Sequence, residues 1–137
     1  PAVAGNEFDF SFSGLKTAVI NMLHNAEQKN VSIDRNDLAA SLQSTIADIL
    51  TDKTIRAAKA LGYKKIALAG GVSANTGVRA ALSEACEKEG FEFYMPEKKL
   101  CGDNGAMIAC QGSYNLLAGI TADESLNAVA TLSMEDI

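Results

Sequence analysis

The sequence predicts an α/β fold, rich in helix and built around a short parallel sheet. Three observations carry this. From residue 34 onward the hydrophobic pattern runs helix, strand, helix, strand, helix, and such alternation argues for parallel strands joined by right-handed crossovers. Both strand candidates are short and apolar, and they end at Gly70-Gly71 and at Pro96, as buried parallel strands do. The amphipathic stretches between them stop at Gly62, Gly90 and Gly119, where a left-handed residue can terminate a helix. Two strands are too few for a stable open sheet covered on both faces. Further strands are therefore expected upstream of Pro1, in a longer protein of which this chain is a piece.

The elements follow in order. Residues 1–12 are small and then aromatic, with Phe8, Phe10 and Phe12 alternating as in a short strand or an extended arm. Ser13 is expected to cap a helix from Gly14, with Leu15, Val19, Met22, Leu23 and Ala26 on one face and Asn30 at its end. A longer helix starts at Asp34, with Asp37 in a capping-box position. Its expected inner face is Leu38, Leu42, Ile46, Ile49, Leu50, Ala57 and Leu61. Residues 65–69 form the best strand candidate. A helix over residues 74–89 turns Val78, Ala81, Leu82 and Ala85 inward, and residues 91–95 form the second strand. The loop 97–102 delivers Asp103 as the expected N-cap of a helix through Met107, Ile108, Tyr114 and Leu117. Residues 1–119 are thus expected to form one domain portion, and 120–137 an irregular tail without periodicity.

Composition narrows the class. The 137 residues are 47% hydrophobic and 21% charged, enough for one soluble domain with its own core. No apolar run approaches the ~20 residues of a membrane span, and no export signal is visible. Cys86, Cys101 and Cys110 form no CxxC pair. They fit a reducing cytoplasm, in which they serve as small core hydrophobes. The net charge of -5 leaves no basic stripe of the kind that binds nucleic acid by charge. An RNA substrate would need basic surface elsewhere. His24 is the only histidine, and HExxH, GxSxG and Walker A patterns are absent. No residue is singled out as catalytic.

Three segments can carry chemistry. In Ala69-Gly70-Gly71-Val72-Ser73-Ala74-Asn75, two glycines after a strand let backbone approach a nucleotide, and the next helix aims its amides at the same place. Asn75 offers both a donor and an acceptor. The same residues can equally form a tight turn in which Ser73 or Asn75 only caps. Asp103, in Leu100-Cys101-Gly102-Asp103-Asn104-Gly105, can cap a helix, bind a cation at the sheet edge, or do both. Lys16, in Phe10-Ser11-Phe12-Ser13-Gly14-Leu15-Lys16-Thr17, can touch a phosphate or stay solvated. The aromatics beside it read as core rather than as a base-stacking platform. Lys98-Lys99 is slight support for a phosphate-rich ligand, and Glu135 and Asp136 read as solvated.

Taken together and in order, these motifs resemble the C-terminal half of the tRNA threonylcarbamoyl-adenosine transferases, formerly called O-sialoglycoprotein endopeptidases or glycoproteases. The resemblance covers residues 8–119. It includes Arg79 and the helix carrying Ala39-Ala40-Ser41-Leu42-Gln43 and Lys53-Thr54-Ile55-Arg56-Ala57-Ala58, which reads like the bacterial branch. It implies a partial actin-like ATPase, or ribonuclease H-like, lobe. It also implies an acyltransferase that moves a threonylcarbamoyl group from threonylcarbamoyl-adenylate to N6 of the adenosine beside the anticodon. The family's iron or zinc is held by two histidines of an upstream HxxxH and by one aspartate. Only that aspartate has a match here, Asp103. Asn75 matches an asparagine that contacts the adenylate, and Gly70 and Gly71 lie in the same turn.

Gly102 stands where Thr is usual, and Thr76-Gly77-Val78 where a Ser-Arg-Leu-like run is common. The implied partners are tRNA, a paralogous actin-like subunit and a P-loop ATPase subunit, with no membrane. A piece lacking most metal ligands is expected to be inactive alone and to self-associate. Rival readings are a non-catalytic nucleotide-binding or scaffold module and an actin-like-fold kinase. A protease is disfavoured, because the chain offers no nucleophile or activated water.

Overall fold

The structure is a computed structural model and describes residues 7–131. These fall into two compact units that divide between Gly102 and Asp103.

In the first unit, residues 7–12 contain a turn and no strand. The helices are α1 (Ser13–Gln28), α2 (Arg35–Leu61) and α3 (Thr76–Glu89), and the strands are β1 (Lys65–Ala67) and β2 (Glu92–Tyr94). The strands are parallel, with Ile66 opposite Phe93, so the sheet is parallel as the alternation predicts. Both are shorter than the apolar runs that announced them. Pairing nevertheless reaches Leu68, whose N–H donates to the Tyr94 carbonyl at 2.9 Å.

Helix α2 owes its limits to its ends. The Asp34 carboxylate accepts from Asn36 N at 2.7 Å and Asp37 N at 3.2 Å, satisfying two of the amides that a helix start leaves unpaired. At the other end Gly62 sits at φ 75°, where a β-carbon would be strained. Gly90 ends α3 in the same way at φ 68°.

The core lies between α2, α3 and the sheet. Ile55, Ala58, Ile66, Cys86 and Phe91 form one cluster, and Ala47, Val78 and Leu82 form another. Phe93 packs against both. Burying a Val or Leu side chain stabilises by about 1.5–3 kcal/mol. The face of α2 that is fully buried is Ala47, Ile55 and Ala58, not the larger residues expected. Small residues at two of these positions let the α3 backbone come close, so the bulky Leu42, Ile46 and Leu50 flank the contact half-buried. Leu61 is 63% exposed. On α3 the expected Val78 and Leu82 are buried, and Cys86 extends the row by one turn.

Three further expectations are corrected. Ser13 does not cap α1: it is the first helical residue, Phe12 holds the cap position, and no side chain caps the helix. Helix α3 begins at Thr76 rather than 74, because residues Gly71–Ala74 form a tighter 3-10 turn. Cys110 is exposed, although Cys86 and Cys101 are buried.

The second unit contains α4 (Gly105–Leu117), whose cap is Asn104 rather than Asp103. The Asn104 Oδ1 accepts from Met107 N at 3.1 Å. A cap side chain reaches the amide two or three residues on, and Asn104, three before Met107, stands at that spacing while Asp103 does not. Residues 118–131 form no helix or strand. Residues 1–6, and Glu135 and Asp136, lie outside the described residues. No helix among the described residues is long and apolar enough to cross a membrane.

Candidate functional site

The first unit contains a cleft of about 920 Å³. It is bounded by the aromatic arm and α1 (Phe10, Phe12, Lys16), by α2 (Leu42, Gln43, Ile46), and by the residues after β1 (Ala69, Val72, Ser73, Asn75). Val78 and Leu82 of α3 form part of its floor. The cleft therefore sits at the carboxyl end of a parallel strand, where open α/β sheets bind ligands. Its lining is apolar apart from Lys16, Gln43, Thr54, Ser73 and Asn75, which is the usual character of a small-molecule site.

The sequence-predicted residues distribute as follows. Asn75 lines the cleft and caps α3, its Oδ1 accepting from Val78 N at 3.1 Å. It thus holds the cap role and a cleft position at once. Gly70, at φ 85°, and Gly71 shape the turn that brings Ser73 and Asn75 to the cleft. Neither glycine lines the cleft itself. A β-carbon at either would meet nothing within 4 Å, so Gly70 is required by its backbone angle alone. Lys16 is exposed and stands at the cleft wall.

The aromatics are not core. Phe10 and Phe12 stack with ring centroids 6.2 Å apart and line the cleft, and Lys53 Nζ lies 5.5 Å from the Phe10 ring centroid. The arm is tied to α2 by a Lys53 hydrogen bond to the Asp9 carbonyl and by a Glu7–Arg56 ion pair.

Sequence reasoning gave Arg79 no role, yet it links the segments that follow the two strands. Its guanidinium donates to the Ser73 and Pro96 carbonyls, and Nη2 lies 3.3 Å from Cys101 Sγ. Cys101 is only 4% exposed. Its thiol pKa is lowered by Ser73 first, and then by Arg79 and Lys98, against a desolvation that raises it. Ser73 is completely buried, and its Oγ makes no full hydrogen bond among the described residues. Its effect on Cys101 is thus a longer polar contact. Burial alone pushes the Cys86 thiol up.

Asp103 is exposed at the start of the second unit. Among the described residues no three His, Cys, Asp or Glu side chains come together, and His24 is exposed on α1. A structural or catalytic transition-metal centre needs three or four such donors. The donor set of the described residues does not fit a metal by itself.

The first unit is thus a helix-rich α/β fold with an apolar cleft at the end of a parallel strand, the position at which open α/β sheets bind ligands. The sequence narrows this to one family. The model of the TsaD family, tRNA N6-adenosine threonylcarbamoyltransferase, matches residues 1–110, and the chain belongs to that family. It is 47% identical over 130 residues to the tRNA N6-adenosine threonylcarbamoyltransferase of Staphylococcus epidermidis, covering 95% of this chain and 38% of that protein. It is 48% identical over 132 residues to the protein of the same name from Listeria innocua, covering 95% of this chain, and 42% identical over 131 residues to that of Staphylococcus aureus, covering 96%. The chain spans 38% of the length of these curated relatives.

Proposed function

We propose that this chain is the C-terminal part of a cytoplasmic tRNA-modifying acyltransferase with an actin-like, ribonuclease H-like fold. The whole enzyme transfers threonylcarbamoyl from threonylcarbamoyl-adenylate to N6 of the adenosine adjacent to the anticodon, and the chain alone is inactive. The observation that carries this reading is the position of Asn75, which lines an apolar cleft at the carboxyl end of β1 in a chain of this family. Apolar walls suit an adenine ring, and the Asn75 amide supplies directional hydrogen bonding.

In the transfer, the N6 amine attacks the carbamoyl carbon of the mixed anhydride. A C–N bond forms, the bond from that carbon to the phosphate oxygen breaks, AMP leaves, and the amine proton passes to solvent. The work of this chain is to hold the adenylate in line and to exclude water from the anhydride. Lys16, at the cleft wall, offers a cation for the phosphate. One iron or zinc ion belongs to the full-length subunit, and Asp103 contributes one ligand. Its other donors lie outside this chain, so no step here is assigned to it. The net charge of -5 fits a role in which partner subunits, one of the same fold and one a P-loop ATPase, share the contact with tRNA.

The test incubates the full-length native protein and its partner subunits with tRNA and threonylcarbamoyl-adenylate, then digests the tRNA for nucleoside mass spectrometry. Threonylcarbamoyl-adenosine forms with the wild type, is lost in Asp103→Ala, and does not form with residues 1–137 alone. Undiminished product from Asp103→Ala would remove Asp103 from the site.

A further inference from the structure

Asn75 does not stand alone in the cleft. One of its Nδ2 protons goes to Gln43 Oε1 at 3.3 Å, from a residue 32 positions earlier on α2. Its Oδ1 is engaged by Val78 N on the other side. An asparagine amide can be turned either way; the Val78 N–H can only donate, so it selects the orientation with Oδ1 toward the helix, and Gln43 then accepts from Nδ2 and holds it there. With Oδ1 toward the helix and Nδ2 toward Gln43, Nδ2 keeps a second proton to donate, while Oδ1, already accepting from Val78 N, keeps one lone pair.

Gly77 makes room for this arrangement. A β-carbon there would lie 3.2 Å from both Asn75 Oδ1 and Gln43 Nε2, so any larger residue must displace one of them by a few tenths of an ångström.

We infer that Gln43 is a positioning residue, which fixes the Asn75 amide so that it presents a donor, and the cleft accordingly selects a ligand with an acceptor at that point. A purine ring nitrogen or a ribose oxygen meets that requirement; a ligand offering only N–H groups there leaves the Nδ2 proton unpaired. The inference rests on the adenylate reading of the cleft and deepens it. Gln43 also borders the cleft, so the experiment must separate action through Asn75 from direct contact.

The experiment is a double-mutant cycle on the full-length native protein, read by calorimetric titration with ATP as the probe and by thermal melting. Gln43→Leu deletes the acceptor at nearly constant size, and it is expected to weaken ATP binding about fivefold, the equivalent of one net hydrogen bond of about 1 kcal/mol. Asn75→Ala weakens binding at least as much. The double variant binds no worse than Asn75→Ala, because Gln43 acts only through Asn75. A general loss of structure would instead lower melting and binding together in both backgrounds.

If Gln43→Leu binds like the wild type while Asn75→Ala is weakened, the inference fails and the adenylate reading stands. If the two losses add, Gln43 touches the ligand itself and the positioning role is overturned. If Asn75→Ala binds like the wild type, or the wild type does not bind ATP, the adenylate reading and the inference fall together. Should Gln43→Leu not fold, Gln43→Met removes the same acceptor and is judged by the same outcomes.

Discussion

Replacing Arg79 with alanine should open the segment after β2 while leaving the core closed. Arg79 donates to two backbone carbonyls, Ser73 and Pro96, and touches the Cys101 sulfur. Hydrogen bonds to a charged donor are worth about 1.5–3 kcal/mol each when desolvated. Arg79 is only half-buried, and halving that range for solvent gives about 1.5–3 kcal/mol for the two carbonyl bonds. The readout is alkylation of Cys101, which must leave its buried site before it reacts. Because 1.4 kcal/mol is tenfold in an equilibrium, the opening that exposes Cys101 becomes roughly 10–150 times more populated. Cys86 is 1% exposed within the Ile55–Phe91 cluster and serves as the internal control. Its alkylation should stay within about threefold of wild type, since local openings are independent of one another. A Cys101 rate unchanged by the substitution would refute the clamp. An equal rise at Cys86 would show that Arg79 holds the whole unit rather than the segment.

Other outcomes follow from the same geometry. Gly62→Ala meets no steric obstacle but forces alanine to φ 75°, so it should cost about 1 kcal/mol in urea unfolding; a stabilised variant would contradict the assignment. Asp34→Ala should cost about 1 kcal/mol by removing the two-amide cap of α2, and Asp34→Asn should recover most of it. The lowered native pKa of Cys101 means that the unfolded chain binds more protons between the native pKa and the ordinary thiol value near 8.5. Stability should therefore rise with pH through that window, and Cys101→Ser should abolish the rise. Residues 1–137 alone should elute from a sizing column above the 14.4 kDa monomer mass, because β1 pairs only with β2 among the described residues and α4 buries none of its side chains. A sharp monomer at high concentration would count against this.

The parts of the fold that were legible in the sequence are those governed by local chemistry. Asp34, Gly62 and Gly90 mark helix ends because a carboxylate cap and a left-handed glycine act within one turn of chain. The strand–helix–strand order follows from apolar runs that end in breakers. What escaped depends on neighbours distant in sequence, or on a shift of one residue between similar side chains. Asn104 and Asp103 are both good caps, and only the path of the backbone separates them. Ala47 and Ala58 are buried because α3 approaches them, which no helical period on α2 alone reveals. Phe10 and Phe12 read as core from their hydrophobicity, yet they wall a cleft. In the site, Asn75 and the Gly70-Gly71 turn were visible at a strand end. Gln43 and Arg79 were not, since each acquires its role from a partner 32 or 22 residues away. Gly77 is where a β-carbon would crowd both Asn75 and Gln43, but its place in the first turn of α3 gave the sequence no reason to single it out.

On the proposed function, the cleft beside Asn75 is where an adenine nucleotide binds. The most direct test is photoaffinity labelling of the full-length native protein with an azido-adenine nucleotide, followed by peptide mapping. Label on peptides from the arm and α1, from α2 around Gln43, or from residues 69–79, competed away by unlabelled ATP, is the predicted result. Competable label confined to other peptides, with these left unmodified, would contradict it.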